Sequence, residues 1–147
     1  MKRLLTIFIF ALAAQLCAQE TAVEAAVRFR VVDIFVDSKT APLAAYQVEF
    51  SAANGNAKIV GIEGGDSVFS DAPFYDPKAM QHERVIIAAF STESAEKLPT
   101  GKTRVATIHL QTRSDVELDF VVKLHIAANS IGKKISPLIT AEERKLK

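Results

Sequence analysis

The chain has 147 residues, 49% hydrophobic and 24% charged, with 6 Gly and 5 Pro, the size and composition of one globular domain with a sizeable core. A single cysteine excludes an intrachain disulfide. A formal net charge of +1 excludes the basic surplus with which proteins hold nucleic acid or anionic membranes.

The first residues, MKRLLTIFIFALAAQLCAQE, have the layout of a secretory signal peptide. Lys2 and Arg3 form a positive start, Leu4 to Ala14 an apolar run, and Leu16-Cys17-Ala18 a cleavage site ending on a small residue. The apolar run is too short for a membrane span and no second one follows. The expectation is a signal peptide over 1–18, cleaved after Ala18, and a secreted or periplasmic product with no membrane attachment afterwards. Lipidation at Cys17 is the competing outcome, disfavoured because Leu16 stands where a small residue is required. Cleavage removes the one cysteine and leaves a net charge of −1, and with them any thiol chemistry.

From residue 22 the apolar runs are short, β-branched or aromatic and alternate with period two, which predicts strands. In AAVRFRVVDIFVDS the apolar phase slips between Val31 and Val32, as a bulge or a change of sheet requires. In LAAYQVEFSA, Tyr46, Val48 and Phe50 point one way and Gln47 and Glu49 the other. NAKIVGI and RVIIAAFS are apolar in both phases and predict central strands covered on each side. RVATIHLQ buries Ala106, Ile108 and Leu110 and leaves Thr107, His109 and Gln111 outside. DVELDFVVKLHI sends Val116, Leu118, Phe120, Val122, Leu124 and Ile126 inward, with Asp115, Glu117, Asp119, Lys123 and His125 outward. Turn signals separate the runs, among them Asn54-Gly55, Gly64-Gly65-Asp66, Asp76-Pro77 and Ile131-Gly132. Only ESAEKL has a helical pattern, of a turn or two, and the charged AEERKLK is expected to fray. About eight such strands without amphipathic helices between them predict an all-β sandwich over 22–140 with a charged tail over 141–147.

The chemistry-bearing residues do not assemble into a catalytic pattern. His82, His109 and His125 lie in separate segments, with no zinc-ligand spacing between them, although the outward phases of His109 and His125 could meet on one face. No nucleophile elbow and no phosphate-cradling glycine loop occurs. Asp115, Glu117 and Asp119 share an outward phase, which suits a solvated, edge-protecting face. Glu63, Asp66 and Asp71 flank the Gly-Gly turn and are the candidates for a calcium ion, though no EF-hand loop is present. With no Trp and two Tyr, the candidate sugar-binding aromatics are Phe74 and Tyr75, in the SDAPFYDPKAM loop. These residues call for no cofactor and no enzyme activity.

Taken in order, LAAYQVEFSAANGNAKIVGIEGGD, HERVIIAAFSTES, PTGKTRVATIHLQTRSD and VVKLHIAANSIGKKI resemble the strand series of cohesin domains, from about Val27 to Ile135. The resemblance implies a jelly-roll sandwich of about eight or nine strands, without catalysis, that recognises a dockerin-bearing protein partner. It places candidate partner-binding residues at Ala45, Gln47, Glu49, Thr92, Glu93, Lys123 and His125. Ala45 and Gln47 stand where the family presents an Asn and an Asp. SAANG replaces its Tyr-Asp-Pro joint, and Ser91-Thr92-Glu93 its acidic step after the central-strand Phe. The alternative expectation is a carbohydrate-binding module that takes a polysaccharide at Phe74 and Tyr75.

Overall fold

A computed structural model describes residues 26–53, 55–113 and 117–145. The expected signal segment 1–18 with Cys17, and also Asn54, Asp115 and Val116, lie outside the described residues. Eight strands follow in order: β1 (Val27–Asp37), β2 (Ala45–Ala52), β3 (Ala57–Gly64), β4 (Phe74–Tyr75), β5 (Arg84–Phe90), β6 (Lys102–Arg113), β7 (Phe120–Ala128) and β8 (Leu138–Arg144). They form two antiparallel four-stranded sheets, β3-β6-β1-β8 (sheet A) and β4-β5-β2-β7 (sheet B). The pairs β1–β8, β2–β7, β3–β6 and β4–β5 are those of one long hairpin wound around a sandwich, the jelly-roll plan. The Gly55 turn, at φ 64°, therefore does not close a hairpin; it carries the chain from sheet B to sheet A.

The core lies between the sheets. Val32, Ile34 and Val36 of β1, with Ile108 and Leu110 of β6, face Tyr46, Val48 and Phe50 of β2 and Val85 and Ile87 of β5. Phe50 stacks on Phe120 at 5.8 Å, and Tyr46 meets Phe69 edge-on at 5.2 Å. Phe69 comes from the 3₁₀ turn Ser67–Phe69, directly after Gly64-Gly65-Asp66. The Tyr46 hydroxyl donates to the Val105 carbonyl at 2.9 Å, and burial pushes its pKa up. Tyr46→Phe removes that donor and leaves a buried carbonyl short of a partner. It is expected to lower stability by about 1 kcal/mol, read by thermal melting followed by circular dichroism.

Several elements depart from the periodicity. β1 keeps one register with β6 from Val27 to Ile34, so there is no slip at Val31–Val32. Both residues are buried on opposite faces, Val31 between His109 and Arg144 on the outer side of sheet A. The irregularity falls between Ile34 and Phe35, opposite which β6 carries Val105 as an extra residue. β3 is an edge strand of sheet A, bulged at Val60, and not a covered central one. ESAEKL forms a hydrogen-bonded turn, Lys97 N–H to Ser94 O and Leu98 N–H to Ala95 O, and no helix. The boundary at 140 falls inside β8, because Ala141 to Arg144 pair with Ile34 to Val31 of β1. Glu117 and Asp119 precede β7 in a loop, so they are not part of an acidic strand face.

Thr107 also differs from expectation: on the outer face of β6 it is fully buried. It donates to Asp33 Oδ1 at 2.8 Å, and Arg144 grips the same carboxylate through Nε at 2.9 Å and Nη2 at 2.5 Å. Arg104 lies 3.6 Å from Asp33 and bonds Asp66 at 2.6 Å. A polar layer thus covers the middle of the outer side of sheet A, where Asp33 is itself 8% exposed, while Val27 and Phe29 at one end of β1 and Leu138 of β8 at the other stay exposed.

Candidate binding face

The outer side of sheet B is composed differently. β2 alternates, with Tyr46, Val48, Phe50 and Ala52 in the core and Ala45, Gln47, Glu49 and Ser51 outward. The register then lays out the face in rows: Phe90, Ala45, Ala128; Phe74, Ala88, Gln47, Ile126; Ile86, Glu49, Lys123; Arg84, Ser51, Val121. Phe74 is 71% exposed, Phe90 65%, Ile126 50% and Ile86 36%. The Phe74 and Phe90 rings are nearly parallel, 10° apart, with centroids at 6.3 Å.

At the other end of the face Arg84 holds Glu49 by two bonds, Nε to Oε1 at 2.8 Å and Nη2 to Oε2 at 2.9 Å. His125 Nε2 lies 3.0 Å from Glu49 Oε2. Hydrogen bonds from Arg84 and His125 pull the Glu49 carboxyl down to about 2, so it is ionised throughout the physiological range. His125 reaches Glu49 because it is an extra residue in β7: Val48 pairs with Leu124 and Gln47 with Ile126. The same bulge reverses the phase of the strand. Ala127 takes the core position, and Ile126, expected inside, is exposed.

Five of the seven candidate partner-binding residues, Ala45, Gln47, Glu49, Lys123 and His125, therefore share this one face. Thr92 and Glu93 follow β5 in a loop tied to the start of β2 by Ser91 N–H to Ala44 O, and Glu93 pairs with Lys97 at 2.9 Å. The two candidate sugar-binding aromatics separate: Phe74 faces out, while Tyr75 faces in and packs against the core. The calcium candidates do not converge. Glu63 lies 3.3 Å from His109, Asp66 is taken by Arg104, and no group of three or more His, Cys, Asp or Glu side chains suited to a metal occurs among the described residues. His109 and His125 belong to different sheets and do not meet.

The residues missed by periodicity are Phe90, Ile86, Arg84 and Ile126. RVIIAAFS was expected to be covered on both sides, yet β4 supplies only two residues beside it, and Ile86 and Phe90 stay exposed. One signal was available: a third layer is needed to cover a second sheet face. The described residues form no α-helix that could supply one.

Two solved structures share this fold. One is a complex of a CaDoc0917 variant with CaCohA2 at pH 5.5, with a TM-score of 0.58, 10% identity, 74% of this chain and 82% of that chain covered. The second is a complex of Coh-OlpA with Doc918, a type I cohesin–dockerin complex from Clostridium thermocellum ATTC 27405, with a TM-score of 0.56, 13% identity and coverages of 81% and 87%. The fold is that of a cohesin domain. Neither a family model nor a curated relative matches the sequence of this cohesin-like domain.

Proposed function

We propose that this cohesin-like chain is a secreted, non-catalytic module that binds a protein partner through the outer face of sheet B. The observation that carries the reading is the contrast between the two outer faces. Sheet A carries the Asp33–Arg144–Thr107 layer over its middle, with Val27 and Phe29 exposed at one end and Leu138 at the other, whereas sheet B gathers two phenylalanines and two isoleucines beside a preorganised Arg84–Glu49–His125 group. A contiguous apolar patch rimmed by fixed charges is the usual composition of a protein interface. The solved structures of similar fold are complexes of cohesins with dockerins, which favours a dockerin-bearing partner. Export by the signal segment 1–18 would bring the domain to such a partner outside the cytoplasm.

A photo-crosslinking residue placed at Gln47 in the full chain tests the face, with the same residue at Lys58, exposed on sheet A, as control. Incubated with the secreted proteins of the producing cells, the position-47 protein should form a discrete adduct and the position-58 protein none. Adducts from position 58 alone, or equally from both, would sink the reading.

A further inference from the structure

Resting on that reading, the geometry points to what the partner must carry: a large apolar side chain seated on the Phe74–Phe90 pair, and a carboxylate opposite Lys123. The two rings are exposed, nearly parallel and carried on neighbouring strands, β4 and β5, so their position is fixed by the sheet. Beside them the face drops to Ala88 and Ala45, and Ile126 rises again beyond Gln47. The result is a shallow apolar seat with aromatic walls on one side, a geometry that takes a Leu, Met or aromatic anchor.

Charge sets the second requirement. Glu49 is saturated by Arg84 and His125, so its charge is spent inside the domain. Lys123, across the strand pair from Glu49, is exposed and has no ion-pair partner among the described residues. The free sign at that end of the face is positive, and an acidic group complements it. Strand geometry sets the spacing: three strand separations and two residues separate Phe74 from Lys123, roughly 16 Å. Gln47 lies between the two points with no side-chain hydrogen bond among the described residues, so a docked partner must also satisfy its amide. The occupant is thus an acidic, apolar polypeptide segment rather than a neutral sugar chain.

The test is selection of a phage-displayed library of random 16-residue peptides on the purified full chain. Peptides should emerge that combine a large apolar residue with Asp or Glu. Their binding should fall at least tenfold on the Phe74→Ala/Phe90→Ala double variant and on Lys123→Glu. Exchanging the peptide's carboxylate for Lys should restore binding to Lys123→Glu alone. Phe74 and Phe90 are exposed, so these variants should melt with the parent protein, which circular dichroism checks. If Gln47→Arg abolishes binding while the other variants stay within twofold, the anchor assignment is overturned and the face reading survives. Peptides indifferent to Gln47→Arg and to all the other variants overturn both. Recovery of no binder, self-association lost in Phe90→Ala, or retention in a polysaccharide gel lost in that variant would likewise overturn the assignment.

Discussion

Replacing Gly65 by alanine is expected to lower the unfolding free energy by about 3 kcal/mol or more and the Tm by about 10 °C. An added Cβ would stand 2.0 Å from the Arg104 carbonyl oxygen and 2.6 Å from the Val105 carbonyl carbon. Both belong to the β6 backbone where it bulges, so neither can swing away as a side-chain tip would. The same carbonyl of Arg104 accepts from Asp66 N–H at 2.8 Å, and Gly65 N–H donates to Phe69 O at 2.7 Å. Moving β6 away would therefore break the turn that delivers Phe69 to the core. Gly61→Ala is the control: its Cβ would meet the His109 ring at 3.5 Å, an ordinary contact, and should be nearly neutral. Chemical denaturation of the two variants decides the point. Equal stabilities would show that the close approach at Gly65 relaxes freely.

Asp33→Ala is expected to cost about 2–3 kcal/mol at pH 7, because it leaves Arg144, Arg104 and Thr107 facing an empty, largely buried position. The loss should carry a pH signature. Burial raises the Asp33 pKa, but hydrogen bonds from Arg144 and Thr107 and the charges of Arg144 and Arg104 outweigh it, and the folded-state value lies below the ordinary 3.8. A carboxylate depressed in the folded state contributes stability that is fully present above its unfolded value and is lost as pH falls through the folded one. The gap between parent and variant should hold from neutral pH to about pH 4 and narrow below it. Denaturant melts between pH 2 and pH 7 measure it. A gap that persists unchanged to pH 2 would mean that Asp33 acts by packing and not by charge.

Legibility differed by face. Tyr46, Val48 and Phe50 could be assigned to the core from alternation alone, because β2 has one apolar and one polar phase and lies mid-sheet. Gln47 and Glu49 followed as outward residues for the same reason. β5 was expected to be covered on both sides, but a strand apolar in both phases does not reveal which side is exposed, and Phe90 on it is part of the aromatic seat. In β7 the alternation runs unbroken to Ile126, and only the bulge at His125 turns that residue outward. Bulges leave little compositional trace, and their effect on phase reverses everything beyond them. Asp33, Thr107 and Arg144 lie on three strands far apart in the chain, so no local spacing links them.

By itself the sequence determined the all-β class, the strands' approximate places and most of the core, because period-two alternation and turn chemistry act locally. The Gly64-Gly65-Asp66 exit was legible as a turn for the same reason. Which strands pair, whether the turn at Gly55 closes a hairpin or changes sheets, and what covers each outer face were decided by the tertiary structure. Those properties depend on residues brought together from distant strands: Asp33 with Arg144 on one side, Phe74 with Phe90 and Glu49 with Arg84 and His125 on the other.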